Sequence, residues 1–216
     1  MSAENTGRDR ILQRIRSGLQ TPAPALPASA FHGPIFEPIA DSLTRFQQEC
    51  SANLMECILT ADGSASAAAL ETALASLPEG ELFVQDSPAL RQLAAALLRQ
   101  RPVRWSSEGA PRESSQVTLT LAEALIAQTG SVFVTAGCGG RGATVVAPCH
   151  IVFATTSQLV PDLQTALGDA FRQGKLMRNS YASVISGSSR TADIEKILVQ
   201  GAHGPRRLVV ILQQSS

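Results

Sequence analysis

The feature that most constrains this chain is the alternation of helical stretches and short apolar runs between residues 39 and 105. A helix over about 39–52 precedes a strand at Leu54–Leu59. An alanine-rich helix (64–77) stops at Pro78-Glu79-Gly80, and a strand follows at Leu82–Gln85. Asp86-Ser87-Pro88 opens a helix over 88–100, with a capping side chain before proline at the first helical position. A short strand at Val103–Trp105 completes the run. Strands joined through helices lie parallel, with right-handed crossovers. The expected class is therefore α/β: three layers with a mostly parallel sheet. The chain's 216 residues suit one domain of ordinary size.

The second half is less regular. It reads as a strand at Val117–Leu121, a short helix at Ala122–Ala127, compact apolar strands at Ser131–Thr135 and Ile151–Ala154, and a helix over 160–173. A strand at Ala182–Ser186, a helix at Ala192–Val199 stopped by Gly201, and a strand at Leu208–Leu212 finish the chain. At the amino end, Ile11, Leu12, Ile15 and Leu19 recur at helical spacing. Five of the twelve prolines then crowd into residues 22–38 (Pro22, Pro24, Pro27, Pro34 and Pro38), which no helix can run through. Residues 1–38 thus read as a helix and Pro-rich linker arm, and residues 39–216 as the α/β domain.

Composition excludes several functions. Lys plus Arg and Asp plus Glu are 18 each. Without a basic surface, neither nucleic acid nor anionic membrane is expected as the main partner. No apolar run approaches the roughly 20 residues of a membrane span, and the amino terminus is polar, so a cytoplasmic location is expected. Cys50, Cys57, Cys138 and Cys149 show no CxxC spacing, so no metal site or iron–sulfur cluster is expected in this chain. Cys57 reads as a buried thiol. Cys138 lies in a Gly-rich loop, where it could reach the surface. GxSxG, HExxH and P-loop motifs are all missing.

Two loops carry the composition of a ligand site. The first follows strand 131–135 and holds Gly139, Gly140 and Arg141. Its glycines allow close backbone approach, and its guanidinium supplies a fork of donors. The second holds Ser188, Ser189, Arg190 and Thr191, before the helix expected at 192–199, whose unpaired N–H groups would favour an anion. The plainer reading of the second is that Ser189 or Thr191 caps the helix and Asp193 and Glu195 complement its dipole. If strands 131–135 and 182–186 run the same way, Arg141 and Arg190 share a sheet edge and select a ligand with one or two anionic groups, such as a hydroxy acid or an acyl-phosphate cofactor. His203 reads as part of a structural turn. The edge occupied by His150 depends on whether residues 142–148 cross over or turn back.

The run Gly187-Ser188-Ser189-Arg190-Thr191-Ala192-Asp193-Ile194-Glu195 resembles the GPSRTADIE signature of the lactate-utilisation protein C (LutC/YkgG) family, whose domain is the LUD domain. Ala202-His203-Gly204-Pro205 is similar to that family's VHGP, and Ile126-Ala127-Gln128-Thr129-Gly130 to its IAETG. Residues 141–150, ending in His150, are similar to its RxxSLLPPVH. Gln128 departs from the family's Glu and removes a carboxylate. The resemblance implies a fold like the sugar-isomerase and CoA-transferase superfamily. It also implies a part in oxidising L-lactate to pyruvate, as a non-redox subunit beside partner proteins that carry the iron–sulfur centres. Two alternatives stand beside it: a self-sufficient enzyme of CoA-transferase or isomerase type acting on a small anionic substrate, and an interaction domain without catalysis.

Overall fold

A computed structural model describes residues 7–20, 37–95, 101–112, 114–191, 199–200 and 204–215. The chain divides into two compact units, residues 1–37 and 38–216. The first contains helix α1 (Gly7–Gln20), which carries the expected apolar spacing.

In the second unit, helix α2 (Ser42–Ala52) begins at Asp41, whose carboxylate accepts from the N–H groups of Leu43 and Thr44. Strand β1 (Glu56–Thr60) follows. Asp62 caps α3 (Gly63–Ala75), which leads to β2 (Glu81–Val84). Ser87 caps α4 (Pro88–Leu93), with Pro88 at its start, and β3 (Val103–Trp105) follows. These caps satisfy N–H groups that no helix can pair internally. Of the helix expected over 88–100, residues 96–100 lie outside the described residues.

Strands β4 (Ser115–Leu121), β7 (Cys149–Thr155) and β12 (Arg207–Gln213) complete a six-stranded sheet in the order β1-β12-β7-β4-β2-β3, every pairing parallel. The α/β, mostly parallel reading therefore holds. On one face, Leu70 and Leu74 of α3 and Leu90 and Leu93 of α4 meet Leu119, Ile151 and Ile211 of the sheet. Each such fully buried side chain contributes roughly 1.5–3 kcal/mol.

On the opposite face stands a second sheet. It consists of β5 (Ala124–Ile126), β6 (Ser131–Thr135), β8 (Leu159–Val160) and β9 (Ala182–Ile185) in the order β8-β5-β6-β9. The helix expected at Ala122–Ala127 is instead β5 followed by a 3-10 turn at Ala127–Thr129. Its three residues are all buried and alternate between two faces, the mark of a strand. Leu125 joins Phe46, Val132 and Val210 between the sheets, whereas Ala124 and Ile126 join Phe133 beneath helix α5 (Leu163–Arg172). A short helix, α6 (Lys175–Arg178), follows α5. The layers run helices, parallel sheet, mixed sheet, helix, with α2 contributing to the core between the sheets.

The helix expected at Ala192–Val199 is not borne out at its end. Val199–Gln200 is a strand, β11, paired antiparallel with β10 (Arg190–Thr191). Residues 192–198 lie outside the described residues. Among the described residues no helix is long and apolar enough to cross a membrane.

Candidate functional site

In parallel α/β sheets ligands gather at the carboxyl ends of strands, and the Gly-rich loop stands at that edge. After β6 the chain turns through Ala136–Gly140. Cys138 N–H donates to the Thr135 carbonyl (3.0 Å) and Gly140 N–H to that of Ala136 (2.9 Å). Gly139 (φ +86°) and Gly140 (φ +88°) take left-handed conformations that favour glycine. Gln85, just after β2, fixes the loop to the parallel sheet. Its amide donates to the Gly137 carbonyl (3.0 Å) and its oxygen accepts from Leu121 N–H (2.7 Å). A 3-10 turn at Arg141–Thr144 follows.

The loop faces Ser106 and Gly109–Pro111, beyond β3, across a hollow of about 390 Å³. The N–H groups of Gly139, Arg141 and Gly142, all lining residues, find no acceptor among the described residues. Arg141 is exposed, and its guanidinium lies 5.7 Å from the Tyr181 ring. Tyr181 Oη is 3.4 Å from Thr144 Oγ1. Unpaired backbone donors with an adjacent guanidinium form an anion-receptive surface.

Behind the loop lies a carboxylate that composition did not single out. Glu123 Oε1 accepts from Thr135 Oγ1 (2.7 Å), with Cys138 Sγ at 3.7 Å, and Oε2 lies 2.7 Å from Lys175 Nζ. Burial pushes the Glu123 carboxyl up. The hydrogen bonds from Lys175 and Thr135 and the lysine's charge outweigh it, so Glu123 ends below its ordinary range. Cys138 is buried rather than at the surface, and burial pushes its thiol up to about 11. A protonated thiol of that kind is a poor nucleophile.

The second sequence loop is closed. Ser186 and Ser131 hydroxyls are 2.6 Å apart, and Ser131 and Thr129 hydroxyls 2.7 Å. Gly187 (φ +91°) presses on α2's end so closely that a Cβ there would stand 2.3 Å from the Asn53 carbonyl oxygen. Gly130 (φ +56°) is held as tightly against the backbone of Glu49 and Cys50. Asn53 Nδ2 donates to the Thr129 carbonyl (2.8 Å), and Ser189 N–H to that of Pro205 (2.9 Å). Ser188 is buried, and its hydroxyl has no partner among the described residues. Arg190 and Thr191 belong to a strand pair, and the helix start expected directly after them, at residue 192, lies outside the described residues.

The two loops do not share an edge. β6 and β9 are antiparallel, Thr135 beside Ala182 and Val132 beside Ile185. The Gly-rich loop leaves one end of this pair and Ser186–Ser189 the other, separated by roughly 13 Å of strand. The shared pocket expected for Arg141 and Arg190 required parallel strands. The Arg190 side chain, Asp193 and His203 lie outside the described residues.

His150 is resolved as the second residue of β7, at the amino edge, because residues 142–148 run back to the start of the strand. It is fully buried between the sheets, with Nε2 2.8 Å from Thr120 Oγ1. Its Nδ1 and the hydroxyl of its register neighbour Thr118 have no partner among the described residues. Burial lowers its pKa to about 4, so the ring is neutral.

A family model for the LUD domain matches residues 43–213. The chain belongs to the LUD domain family. Lactate utilization protein C of Bacillus subtilis (strain 168) is 25% identical over 95% of each chain. The Escherichia coli (strain K12) uncharacterized protein YkgG is 25% identical over 95% of this chain and 97% of its own. Lactate utilization protein C of Deinococcus radiodurans is 30% identical, over 46% of this chain and 47% of its own. The crystal structure of a DUF162 family protein from the same organism shares the fold. Its TM-score is 0.62 at 19% identity, with 80% of this chain and 96% of that one covered.

In this LUD domain the resembling motifs therefore separate by place. Gly139, Gly140 and Arg141 stand at the hollow. Thr129, Gly130, Ser188 and Ser189 gather around the end of α2 and Pro205, while Gln128, half-buried, donates its backbone N–H to the Pro161 carbonyl. Glu123 lay inside a stretch read as helix. The available signal was a lone carboxylate in the otherwise uncharged run Leu121–Ser131.

Proposed function

We propose that this LUD domain protein works in lactate utilisation as a non-redox component beside iron–sulfur partner proteins, and holds an anionic ligand at the Arg141 hollow. One observation carries the lactate role: similarity to Bacillus subtilis Lactate utilization protein C across 95% of both chains. The geometry supports the ligand. Three backbone N–H groups without acceptors among the described residues and an exposed guanidinium border one hollow at the carboxyl edge. The reading leaves electron transfer to the partner proteins.

The test is genetic and biochemical. Deleting the gene from its native host should abolish growth on L-lactate as sole carbon source. The wild-type gene should restore growth, and Arg141→Ala should restore it poorly. Affinity purification from lactate-grown cells should recover cysteine-rich iron–sulfur proteins. Normal growth of the deletion strain, with recovery of the chain alone, would defeat the reading.

A further inference from the structure

A second hollow, of about 280 Å³, opens between the mixed sheet and helices α5 and α6, and shares no lining residue with the Arg141 hollow. Phe133, Ala166 and Ala170 give it an apolar wall, and Glu123 and Lys175 stand in it as a charged pair. Their side chains are only 17% and 30% exposed. Each is held from behind: Glu123 by the Thr135 hydroxyl, and Lys175 through its carbonyl, which accepts from Asn179 Nδ2 (2.9 Å). Most surface ion pairs are loose and worth little. This one is fixed at a cavity wall, with capacity left over. The ammonium has three donors and spends one on Glu123, and each carboxylate oxygen accepts more than one bond.

We propose that this hollow binds a small hydroxy acid, its carboxylate on Lys175 Nζ and its neighbouring hydroxyl donating to Glu123. A cation and an anion 2.7 Å apart call for a ligand with an acceptor and a donor on adjacent carbons. A plain or keto acid brings its negative charge next to Glu123 with no donor to offer, so it binds less well. The volume, about 280 Å³, lies just below the roughly 300–1,000 Å³ of ordinary ligand cavities, which suits a small acid better than a nucleotide. The preference for a hydroxyl over a charged amine rests on the lactate-utilisation reading.

The experiment uses the full chain, ¹⁵N-labelled throughout and ¹³C-labelled at its alanine methyl groups, titrated separately with L-lactate, propionate, pyruvate and L-alanine. L-Lactate should shift the Ala166 and Ala170 methyl signals, and propionate and pyruvate should bind at least about tenfold more weakly. Lys175→Met should weaken L-lactate by a similar factor. Glu123→Gln should narrow the gap between the two, weakening L-lactate and tightening propionate, whose charge it no longer repels. The proposal is overturned if L-lactate leaves both methyl groups unmoved or shifts only the amides of Gly139–Gly142. It is equally overturned if propionate or L-alanine binds as tightly, or if neither variant changes affinity. The wild-type methyl map needs no variant to fold. Unmoved methyl signals in a protein still required for growth on lactate would sink this site alone. Shifted signals in a protein dispensable for that growth would sink the lactate role alone.

Discussion

Two loops leave opposite ends of the β6–β9 pair, and they use glycine for opposite purposes. In Gly137–Gly142 the backbone faces a hollow, and a Cβ on Gly140 would meet nothing within 4 Å. In Ser186–Ser189 the backbone faces protein, and Gly187 permits contact with Asn53 that any side chain would forbid. One loop is free to receive a ligand, whereas the other clamps α2 to the mixed sheet. The opening residues of the more distinctive sequence motif, Gly187–Ser189, belong to the clamp. A strongly patterned stretch marks a tight constraint, and close packing constrains a chain as severely as chemistry does.

The largest expected effect tests that contrast directly. Gly187→Ala forces a left-handed alanine and a displaced α2 terminus, and should destabilise the protein by about 2–5 kcal/mol in urea unfolding. Gly140→Ala shares the left-handed φ and lacks the obstruction, so its cost should be only about 1–2 kcal/mol. Equal losses would abolish the distinction between the loops.

A second effect comes from the closed region between the sheets. His150 has a folded pKa of about 4 against 6.5 for the free side chain. Below pH 6.5 the unfolded chain takes up a proton that the native ring refuses. The stabilisation is complete above pH 6.5 and is lost as pH falls toward 4, by up to about 3 kcal/mol. Unfolding free energy measured across pH 4–7 should fall more steeply for wild type than for His150→Gln. Parallel curves would mean that the ring is not buried neutral.

The parallel half of the fold was legible because each strand is followed by its own punctuation: Asp62 after β1, and Ser87-Pro88 after β2. The mixed sheet was not, for two physical reasons. β5 and β8 have three and two residues, too few for period two to show. β6 is buried on both faces, so its apolar run carries no sign of its neighbour's direction. That missing sign decided the site. Arg141 and the Gly-rich loop were visible from composition, but their distance from Ser186–Ser189 depends on the antiparallel pairing of β6 with β9. Glu123 and Tyr181 matter only through contacts with residues 12 to 52 positions away, Thr135 and Lys175 for Glu123 and Thr144 and Arg141 for Tyr181.

Arg141→Ala should sharpen the contrast by separating binding from stability. With inorganic phosphate as the probe anion, calorimetry should show roughly tenfold weaker binding, the loss of one charged hydrogen bond. Stability should change by no more than about 0.5 kcal/mol, because the side chain is exposed. A stability loss as large as that of Gly187→Ala would make the open loop a second clamp.

The smallest effect concerns how Arg141 is aimed. The Tyr181 ring lies 5.7 Å from the guanidinium, near the limit for attraction between a cation and an aromatic face. Such a contact at an exposed site is worth about 0.5–1 kcal/mol, so Tyr181→Leu should weaken phosphate binding about two- to fivefold. Tyr181→Phe keeps the ring and loses only the long contact to Thr144, so it should bind nearly as wild type. The order of the two variants carries the test. If Phe is as weak as Leu, the hydroxyl and its hold on the 141–144 turn set the site. If both match wild type, Arg141 needs no aromatic support, and the unpaired N–H groups of Gly139, Arg141 and Gly142 alone give the open loop its ligand.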